Sequence, residues 1–445
     1  MERSANFDLM ITNGTVITMA AAGIIPDGLV LIKDGAIVWV GPRADSTPTL
    51  NAVRTIDAAG GFILPGLINT HVHAPMTCFR GLSDDQPLMR WLEDYIFPAE
   101  ARFVTPEMTY LGAKLAILEM IASGTTTFAD GYFCEDGVVK AALEAGIRAM
   151  PAQGVVDFPA PGVPDPARNV TVAQEFLSRW QGVSDLVHPA VFCHSCYTCG
   201  PDTLQRAKDL ARRQNTLFFI HLAETKDEVA MLQQVHGVTP VRYLKQLGIL
   251  DRSTVGVHLI HIDEADIADL AMTGTAVASA PESNMKLASG VAPVVNMLAQ
   301  GLRLGLGTDG CARNNDLDML AEMDTMAKLH KVTCGDPTVL PAEQVVRMAT
   351  IEGARVLGLD DRIGSLEMGK RADLIVVEVN RPHLTPVYHP YSALVFTARG
   401  SDVRHVIIDG RVVYDDYAFT TLDAKAVMAE VTSLAGKIGA SLNIS

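Results

Sequence analysis

Short apolar runs, typical of buried strands, alternate with segments of helical period through the middle of the chain. Residues 62–70, 217–220, 254–257 and 302–308 are predicted strands, and a helix-like segment follows each of them. Strands that alternate with helices form a parallel sheet. The pattern therefore predicts an α/β fold built around a (β/α)8 TIM-like barrel.

One helix predicted in this region has both a start signal and a stop signal. Thr105 is a cap residue before Pro106, and apolar residues follow at helical spacing until Gly124, which stops the helix. A strand is predicted over 125–130 directly after it. The other predicted helices cover 202–215, 239–247, 264–272, 294–300, 318–330 and 342–357.

The two ends of the chain carry strands without helices between them. Asn13-Gly14 and Asp34-Gly35 separate apolar runs and are strong hairpin signals, and similar runs return at 373–378 and 403–413. We therefore expect both ends to build one small β-sandwich domain. The predicted limits are 1–64 for its first part, 65–363 for the barrel and 364–445 for its second part with a C-terminal helix.

Composition and charge narrow the possible functions. The 445 residues are 48% hydrophobic, enough for a large core, and the formal net charge of −15 argues against binding to nucleic acid or an anionic membrane. The first residues lack the basic and apolar segments of a secretory signal, and Gly, Pro or Asp breaks the longest apolar stretches. We therefore expect a cytoplasmic protein without a membrane partner.

Ionisable residues end several of the predicted strands. His71 and His73 lie two positions apart, so a strand would direct both imidazoles to the same side, where they could grip one metal ion. His221, His258 and Asp309 end the strands further along the chain. Because the carboxyl ends of barrel strands meet at one face, the sequence predicts that these side chains converge.

The chain resembles the amidohydrolase superfamily, in its single-metal deaminase branch. The resemblance covers almost the whole length and rests on PGLINTHVH at 65–73, IHLAE at 220–224, PESNMKLASG at 281–290 and GTDG at 307–310. Within that branch, APMT at 74–77, FRGL at 79–82 and PAE at 98–100 look like the 5′-methylthioadenosine/S-adenosylhomocysteine deaminases. The resemblance also implies a homo-oligomer.

The resemblance implies one divalent metal ion. His71, His73 and His221 are its expected imidazole ligands, and Asp309 is its expected carboxylate ligand. The nitrogen-rich set favours zinc, although iron or manganese fits the same residues. A hydrolytic metal needs an open position for water, whose pKa it lowers to about 7.

Three residues are the expected catalytic groups. Glu224 matches the family's proton shuttle, which protonates an adenine ring nitrogen and later the leaving ammonia. His258 matches the imidazole that orients the attacking water, with His261 as its rival, and Asp309 is expected to accept the water proton. Asn284 is expected to shape the mouth of the site.

Substrate contacts are also implied by the resemblance. Glu100 matches the carboxylate that binds ribose hydroxyls, and His194 matches the residue that reaches a purine ring nitrogen. Met76, Phe79 and Trp91 are candidates for an apolar pocket around a 5′-thioether, although Met and aromatic residues at such spacing are more often part of the core. The substrate is then a purine nucleoside, and Glu224 and His258 also contact it.

One departure from the family concerns Gln153. Relatives that take S-adenosylhomocysteine carry Arg in this strand to pair with the amino-acid carboxylate, and Gln cannot replace a charged bidentate donor. Arg168 is a candidate to compensate. We therefore expect a preference for 5′-methylthioadenosine, or adenosine, over S-adenosylhomocysteine, with 5′-deoxyadenosine as a further possible substrate.

Three alternatives remain open from the sequence. A triazine-type amino- or chlorohydrolase would share the metal ligands but has no ribose for Glu100 to hold. A non-catalytic barrel that binds a partner would have to keep Glu224 beside the ligands without use. Cys193, Cys196 and Cys199 could hold a separate metal, but no second pair completes the set, and small apolar fillers are the simpler interpretation.

Overall fold

The structure, a computed structural model, describes residues 6–46, 50–86, 90 and 92–442. Its strands are β1 (Asn6–Ile17), β2 (Ile24–Lys33), β3 (Ala36–Pro42), β4 (Asn51–Asp57), β5 (Phe62–Pro65), β6 (Leu67–Val72), β7 (Thr125–Tyr132), β8 (Arg148–Val155), β9 (Ala190–Ser195), β10 (Phe218–Leu222), β11 (Thr254–His258), β12 (Ala276–Ser279), β13 (Leu304–Leu306), β14 (Leu374–Val377), β15 (Val403–Ile408), β16 (Arg411–Asp415) and β17 (Ala418–Phe419).

The α-helices in the same part of the chain are α1 (Phe97–Phe103), α2 (Pro106–Ala122), α3 (Asp136–Ala145), α4 (Asn169–Trp180), α5 (Pro201–Arg213), α6 (Lys226–His236), α7 (Pro240–Gln246), α8 (Glu264–Thr273), α9 (Pro281–Lys286), α10 (Val294–Ala299), α11 (Met319–Cys334), α12 (Ala342–Met348), α13 (Ile351–Val356), α14 (Pro390–Phe396) and α15 (Ala424–Leu442). Of the helices described, none is both long and apolar enough to cross a membrane.

Strands β6 to β13 form the barrel. Within the described residues they make an eight-stranded parallel sheet in chain order. The two edge strands meet, because Thr70 Oγ1 donates to Leu306 O at 2.8 Å and Asn69 Nδ2 donates to Thr308 Oγ1 at 2.7 Å. The predicted (β/α)8 TIM-like barrel is confirmed.

The chain ends form a separate sheet. Strands β1 to β5 and β14 to β17 build one mixed sheet, nine-stranded in the described part of the chain, and β14 pairs antiparallel with β5 to join the two ends. Buried Arg148 at the start of β8 donates through Nε to Asp373 Oδ2 at 2.8 Å, which ties the barrel to this sheet. The common domain from both ends is confirmed, whereas its limits at 1–64, 65–363 and 364–445 stay predictions.

Two local predictions are wrong. Asn13-Gly14 is not a hairpin but an irregularity inside β1, where Asn13 has a φ of +58° and the register with β2 shifts. Strand β1 continues because it also pairs with β4 and β5. The predicted helix 342–357 is two helices, since Ala349 O accepts from Ile68 N of the barrel at 2.9 Å instead of continuing the helix.

Other local signals agree with the structure. Asp34-Gly35 is the turn of the β2–β3 hairpin, which is antiparallel. Thr105 caps α2, because its Oγ1 accepts from Met108 N at 3.2 Å. The following strand, β7, is buried along its whole length and extends two residues beyond the predicted end.

Candidate active site

Strand ends bring the predicted site residues together. His71 lies in β6, His221 in β10 and His258 at the end of β11. Asp309 follows β13, and its backbone N–H donates to His71 O at 3.0 Å. His194, in β9, places its ring 5.0 Å from that of His221. The side chains therefore converge on the carboxyl-end face of the barrel, as the strand pattern predicts.

Three histidines and an aspartate form a set that fits a metal ion. His73 Nε2 lies 3.4 Å and His71 Nε2 3.6 Å from Asp309 Oδ1, and His71 Nε2 lies 3.3 Å from His221 Nε2. The three imidazoles are within reach of one ion. Burial lowers the pKa of His71, and it holds the pKa of His73 and His221 well below the ordinary value. The rings are therefore neutral, which is the form that binds metal.

Hydrogen bonds orient two of these ligands. His73 Nδ1–H donates to Gly131 O at 2.6 Å, which leaves Nε2 with its lone pair toward the centre. Asp309 has a φ of +61°, and its Oδ1 accepts from Gly310 N at 2.7 Å while its Oδ2 accepts from Ser283 Oγ at 2.6 Å. Both side chains are thus fixed before any ion binds, and the donor set fits a divalent metal.

His258 is turned toward the same centre. Its φ is +73°, and its Nδ1–H donates to Asn284 Oδ1 at 2.9 Å, so Nε2 faces Glu224 Oε2 at 3.8 Å and Asp309 Oδ2 at 3.9 Å. Asn284 therefore orients this imidazole. The rival His261 donates through Nε2 to Ser289 O at 2.7 Å, which directs its ring elsewhere.

Glu224 is held by a second carboxylate and a cation. The Glu228 carboxylate accepts from Ala223 N at 3.0 Å and Glu224 N at 2.8 Å, which fixes the turn after β10. Glu224 Oε1 accepts from Arg313 Nη1 at 2.7 Å. Although burial raises the pKa of Glu224, the charge of Arg313 beside it holds that pKa below the ordinary value. The carboxylate is therefore ionised at neutral pH.

Arg313 is a residue at the site that sequence reasoning missed. It is buried, and its Nη1 also lies 3.4 Å from Asp309 Oδ2. Burial raises the pKa of Asp309, but Arg313 and His71 hold it well below the ordinary value. The available signal was an arginine four residues after a candidate ligand, in a loop of small residues, GCA at 310–312.

A cavity of about 260 Å³ opens above these residues. Glu100, His194 and Met76 line it, as do His73, His221 and Arg313. The rest of the described lining is mostly apolar and includes Ile96, Phe97, Phe133, Val156, Phe158 and Pro161.

Glu100 is prepared to accept hydrogen bonds inside this cavity. Tyr132 OH donates to its Oε1 at 2.6 Å. Burial raises the pKa of Glu100 to about 7, against the opposing effect of the Tyr132 hydrogen bond. A carboxylate with one oxygen already engaged and a cavity before it can accept from hydroxyl groups.

Other predicted contacts lie away from the cavity or outside the described residues. Gln153 Oε1 accepts from Glu135 N at 3.4 Å and its Nε2 donates to Gly154 O at 3.3 Å, so this amide does not line the cavity. Arg168 is exposed and pairs with Glu175 at 2.8 Å, so it does not compensate inside the site. Trp91 lies outside the described residues. Phe79 is buried in the core and is not part of the lining.

The cysteine cluster forms no metal site. Cys193, Cys196 and Cys199 are buried free thiols, and Cys199 Sγ donates to Val155 O at 3.1 Å. Burial holds the pKa of Cys193 and Cys196 well above the ordinary value, so these thiols are protonated. Among the residues that the structure describes, the groups able to hold an ion contain only histidine and aspartate.

Comparison with known proteins agrees with the fold. The model of the amidohydrolase family matches residues 62–413. A protein of Syntrophobacter fumaroxidans named 5-methylthioadenosine/S-adenosylhomocysteine deaminase is 47% identical over 98% of this chain and 99% of its own length. A protein of Methanosarcina acetivorans named 5'-deoxyadenosine deaminase is 41% identical over 98% of this chain and 99% of its own.

A solved structure is similar over nearly the whole chain. It is an adenosine deaminase from Xanthomonas campestris with bound zinc, 35% identical, with a TM-score of 0.95 over 97% of this chain and 99% of that one. The family match covers more than half of the chain, and the relatives cover nearly all of it. The resemblance seen in the motifs is confirmed, and the chain belongs to the amidohydrolase family.

Proposed function

We propose that this protein is a metal-dependent hydrolytic deaminase that converts an adenine nucleoside with an altered 5′ position to the inosine analogue and ammonia. One observation carries the proposal: the Glu224 carboxylate and an oriented His258 lie beside a cluster of residues able to hold a metal ion, and two histidines of that cluster line a cavity that Glu100 also lines. The names of the similar proteins support it.

The residues can perform each proton transfer of this reaction. A divalent ion held by His71, His73, His221 and Asp309 would make water a nucleophile at neutral pH, because it would lower the pKa of that water to about 7. Glu224 takes the first proton of the water and passes it to N1 of adenine while a bond forms between the water oxygen and C6. The second proton moves from the same oxygen to N6, the C6–N6 bond breaks, and ammonia leaves with the inosine analogue as the other product.

Neighbouring groups orient the reactants. His258 Nε2 faces both Glu224 and Asp309, so it can hold the attacking oxygen between them. Asp309 is proposed as a ligand and as an acceptor for the water proton, and His194 as the contact to a purine ring nitrogen from the cavity wall. Glu100 is proposed to accept from the ribose hydroxyls.

Zinc is the metal we propose. Three imidazoles lie within reach of one ion, and Asp309 Oδ1 lies 3.4 Å from His73 Nε2 and 3.6 Å from His71 Nε2. These nitrogen-rich donors suit zinc, and the similar structure from Xanthomonas campestris carries zinc. Iron or manganese would suit the same atoms. Metal analysis of the purified protein distinguishes these ions.

The lining of the cavity supports an apolar 5′-substituent. Among its described residues Arg313 is the only Lys or Arg and Glu100 is the only carboxylate, and Arg313 donates to Glu224. A methylthio group would pack against Phe97, Phe133 and Phe158, whereas these three side chains offer no cation to the amino-acid carboxylate of S-adenosylhomocysteine, which would be desolvated there. We therefore propose 5′-methylthioadenosine as the preferred substrate. The basis for this preference is the apolar lining of the cavity and not the presence of Gln153.

A substrate panel tests the function. Metal-replete protein is assayed against 5′-methylthioadenosine, 5′-deoxyadenosine, adenosine and S-adenosylhomocysteine by the ultraviolet change from adenine to hypoxanthine. We expect the highest kcat/KM for 5′-methylthioadenosine. Silence on all four with metal bound would refute the function and favour a triazine-type hydrolase, for which Glu100 has no evident use; equal efficiency on S-adenosylhomocysteine would refute only the preference.

A further inference from the structure

Arg313 places a buried cation between the two carboxylates of the site. Its Nη1 lies 2.7 Å from Glu224 Oε1 and 3.4 Å from Asp309 Oδ2. The shorter contact is a full charge-assisted hydrogen bond, whereas the longer one exceeds the usual range. Of these two carboxylates, Arg313 therefore acts more strongly on Glu224.

The contact decides which oxygen of Glu224 faces the reacting groups. Oε1 is held by Arg313, and Oε2 is the atom that lies 3.8 Å from His258 Nε2. A glutamate has three side-chain torsions, and Glu224 adopts this orientation only while both its backbone and its carboxylate are fixed. Glu228 fixes the backbone, and Arg313 fixes the carboxylate.

The loop that carries Arg313 is itself well fixed. Arg313 N donates to Gly310 O at 2.8 Å, and Asn315 Nδ2 donates to Asp84 Oδ2 at 3.1 Å. Lys286 Nζ adds a bond to Asp84 Oδ1 at 2.6 Å, which links the loop to α9. A guanidinium on a rigid loop can hold a catalytic carboxylate in one place.

We propose that Arg313 is a positioning residue, which holds the Glu224 carboxylate in the orientation needed for proton transfer. This inference rests on the proposed function and goes beyond it, because it assigns a role to a residue outside the ligand and shuttle sets. Two other roles for Arg313 compete with this one. Arg313 could instead hold the expected metal ligand Asp309 in place, or it could bind the substrate directly, and each role predicts a different result for the variants.

The kinetics of Arg313→Gln and Arg313→Lys test the proposal. Arg206→Gln is the matched surface control, because Arg206 lies on the outside of α5 and its Nη1 is 3.5 Å from Asp202 Oδ2. The wild-type rate on 5′-methylthioadenosine tests the function by itself, and the variant ratios test the positioning role. A misplaced catalytic group costs about 10²-fold. We expect kcat of Arg313→Gln to fall by about that factor, with KM nearly unchanged, and Arg313→Lys to lose less because it keeps the charge.

Two further readouts separate the competing roles. Bound metal, measured by elemental analysis, should stay at the wild-type level in Arg313→Gln, and the affinity for the product 5′-methylthioinosine should change little. In a Glu224→Gln background, Arg313→Gln should cause little further loss, because both changes act on the same step. Loss of metal would show that Arg313 instead positions Asp309, and weaker product binding would show that Arg313 contacts the substrate. Fully additive losses of kcat in the double variant would overturn the proposal.

Discussion

The base of the cavity and its apolar wall come from different parts of the fold, the base from strand ends and the wall from a helix and loops. The base is the histidine and aspartate cluster next to the cavity, of which His73 and His221 line the cavity itself. Its members, His71, His73, His221, His258 and Asp309, lie at or just after barrel strands, and hydrogen bonds fix His73, His258 and Asp309. The wall consists of Phe97, Phe133, Phe158 and Pro161, which come from α1 and from the segments after β7 and β8. The ring centroids of Phe97 and Phe158 lie 6.2 Å apart.

The difference teaches where chemistry and selectivity lie in this molecule. Groups that must meet an ion and a proton within a fraction of an ångström are placed on a rigid barrel. The wall offers only apolar surface, and loop surface can change without disturbing the strands beneath it. Substitutions in the base should therefore abolish the reaction, whereas substitutions in the wall should alter which nucleoside reacts.

The largest effect is expected at a metal ligand. His221→Ala removes one of three buried imidazoles, so we expect most of the bound metal and nearly all turnover to be lost. Elemental analysis and the deaminase assay measure the two losses together. His236→Ala, on the exposed surface of α6, is the control and should keep both. Full metal content in His221→Ala would show that the ion is held elsewhere.

Glu224→Gln should leave the metal and remove the proton transfer. The amide keeps the size of the side chain but cannot carry a proton, so we expect kcat to fall by about 10²–10⁴ or more. Bound metal should stay at the wild-type level, because Glu224 belongs to neither of the two groups of side chains close enough to hold an ion, which are His71, His73 and His221, and His71, His258 and Asp309. Near-normal turnover would overturn the proposed mechanism for the base of the cavity.

The same contrast explains what the sequence could predict. His71 and His73 were found because a strand period of two fixes their side, and His221, His258 and Asp309 because strand ends of a barrel share one face. These inferences need only local periodicity and the fold class. The family resemblance then assigned a role to Glu224, which no spacing rule supplies.

The features that the sequence did not predict depend on contacts between segments that are far apart in the chain. Arg313 reaches Glu224, 89 positions away, and no local pattern indicates that pairing. Gln153 was placed in the site by analogy, but its amide is engaged by Glu135 N and Gly154 O. Asn13-Gly14 reads as a turn locally, yet two further strands hold β1 straight.

A smaller effect is expected at Glu100, between the base and the wall. Burial raises its pKa to about 7, so the carboxylate is ionised above that pH and protonated below it. Ribose hydroxyls donate to the ionised form, so kcat/KM for 5′-methylthioadenosine should fall as the pH drops through about 7. Glu100→Gln should raise KM and remove this dependence. An unchanged pH profile in the variant would assign the titration to another group.

The smallest effect is expected in the wall, where Phe158 is 39% exposed. Phe158→Arg would offer a cation to the amino-acid carboxylate of S-adenosylhomocysteine. A partly exposed ion pair is worth about 0.2–1 kcal/mol, so the ratio of kcat/KM for S-adenosylhomocysteine over 5′-methylthioadenosine should rise by roughly 1.5- to 5-fold. Phe158→Gln is the matched control, because it removes the ring without adding charge. If both variants shift the ratio equally, the ring excludes the larger substrate by size, and the missing cation is not what sets the preference.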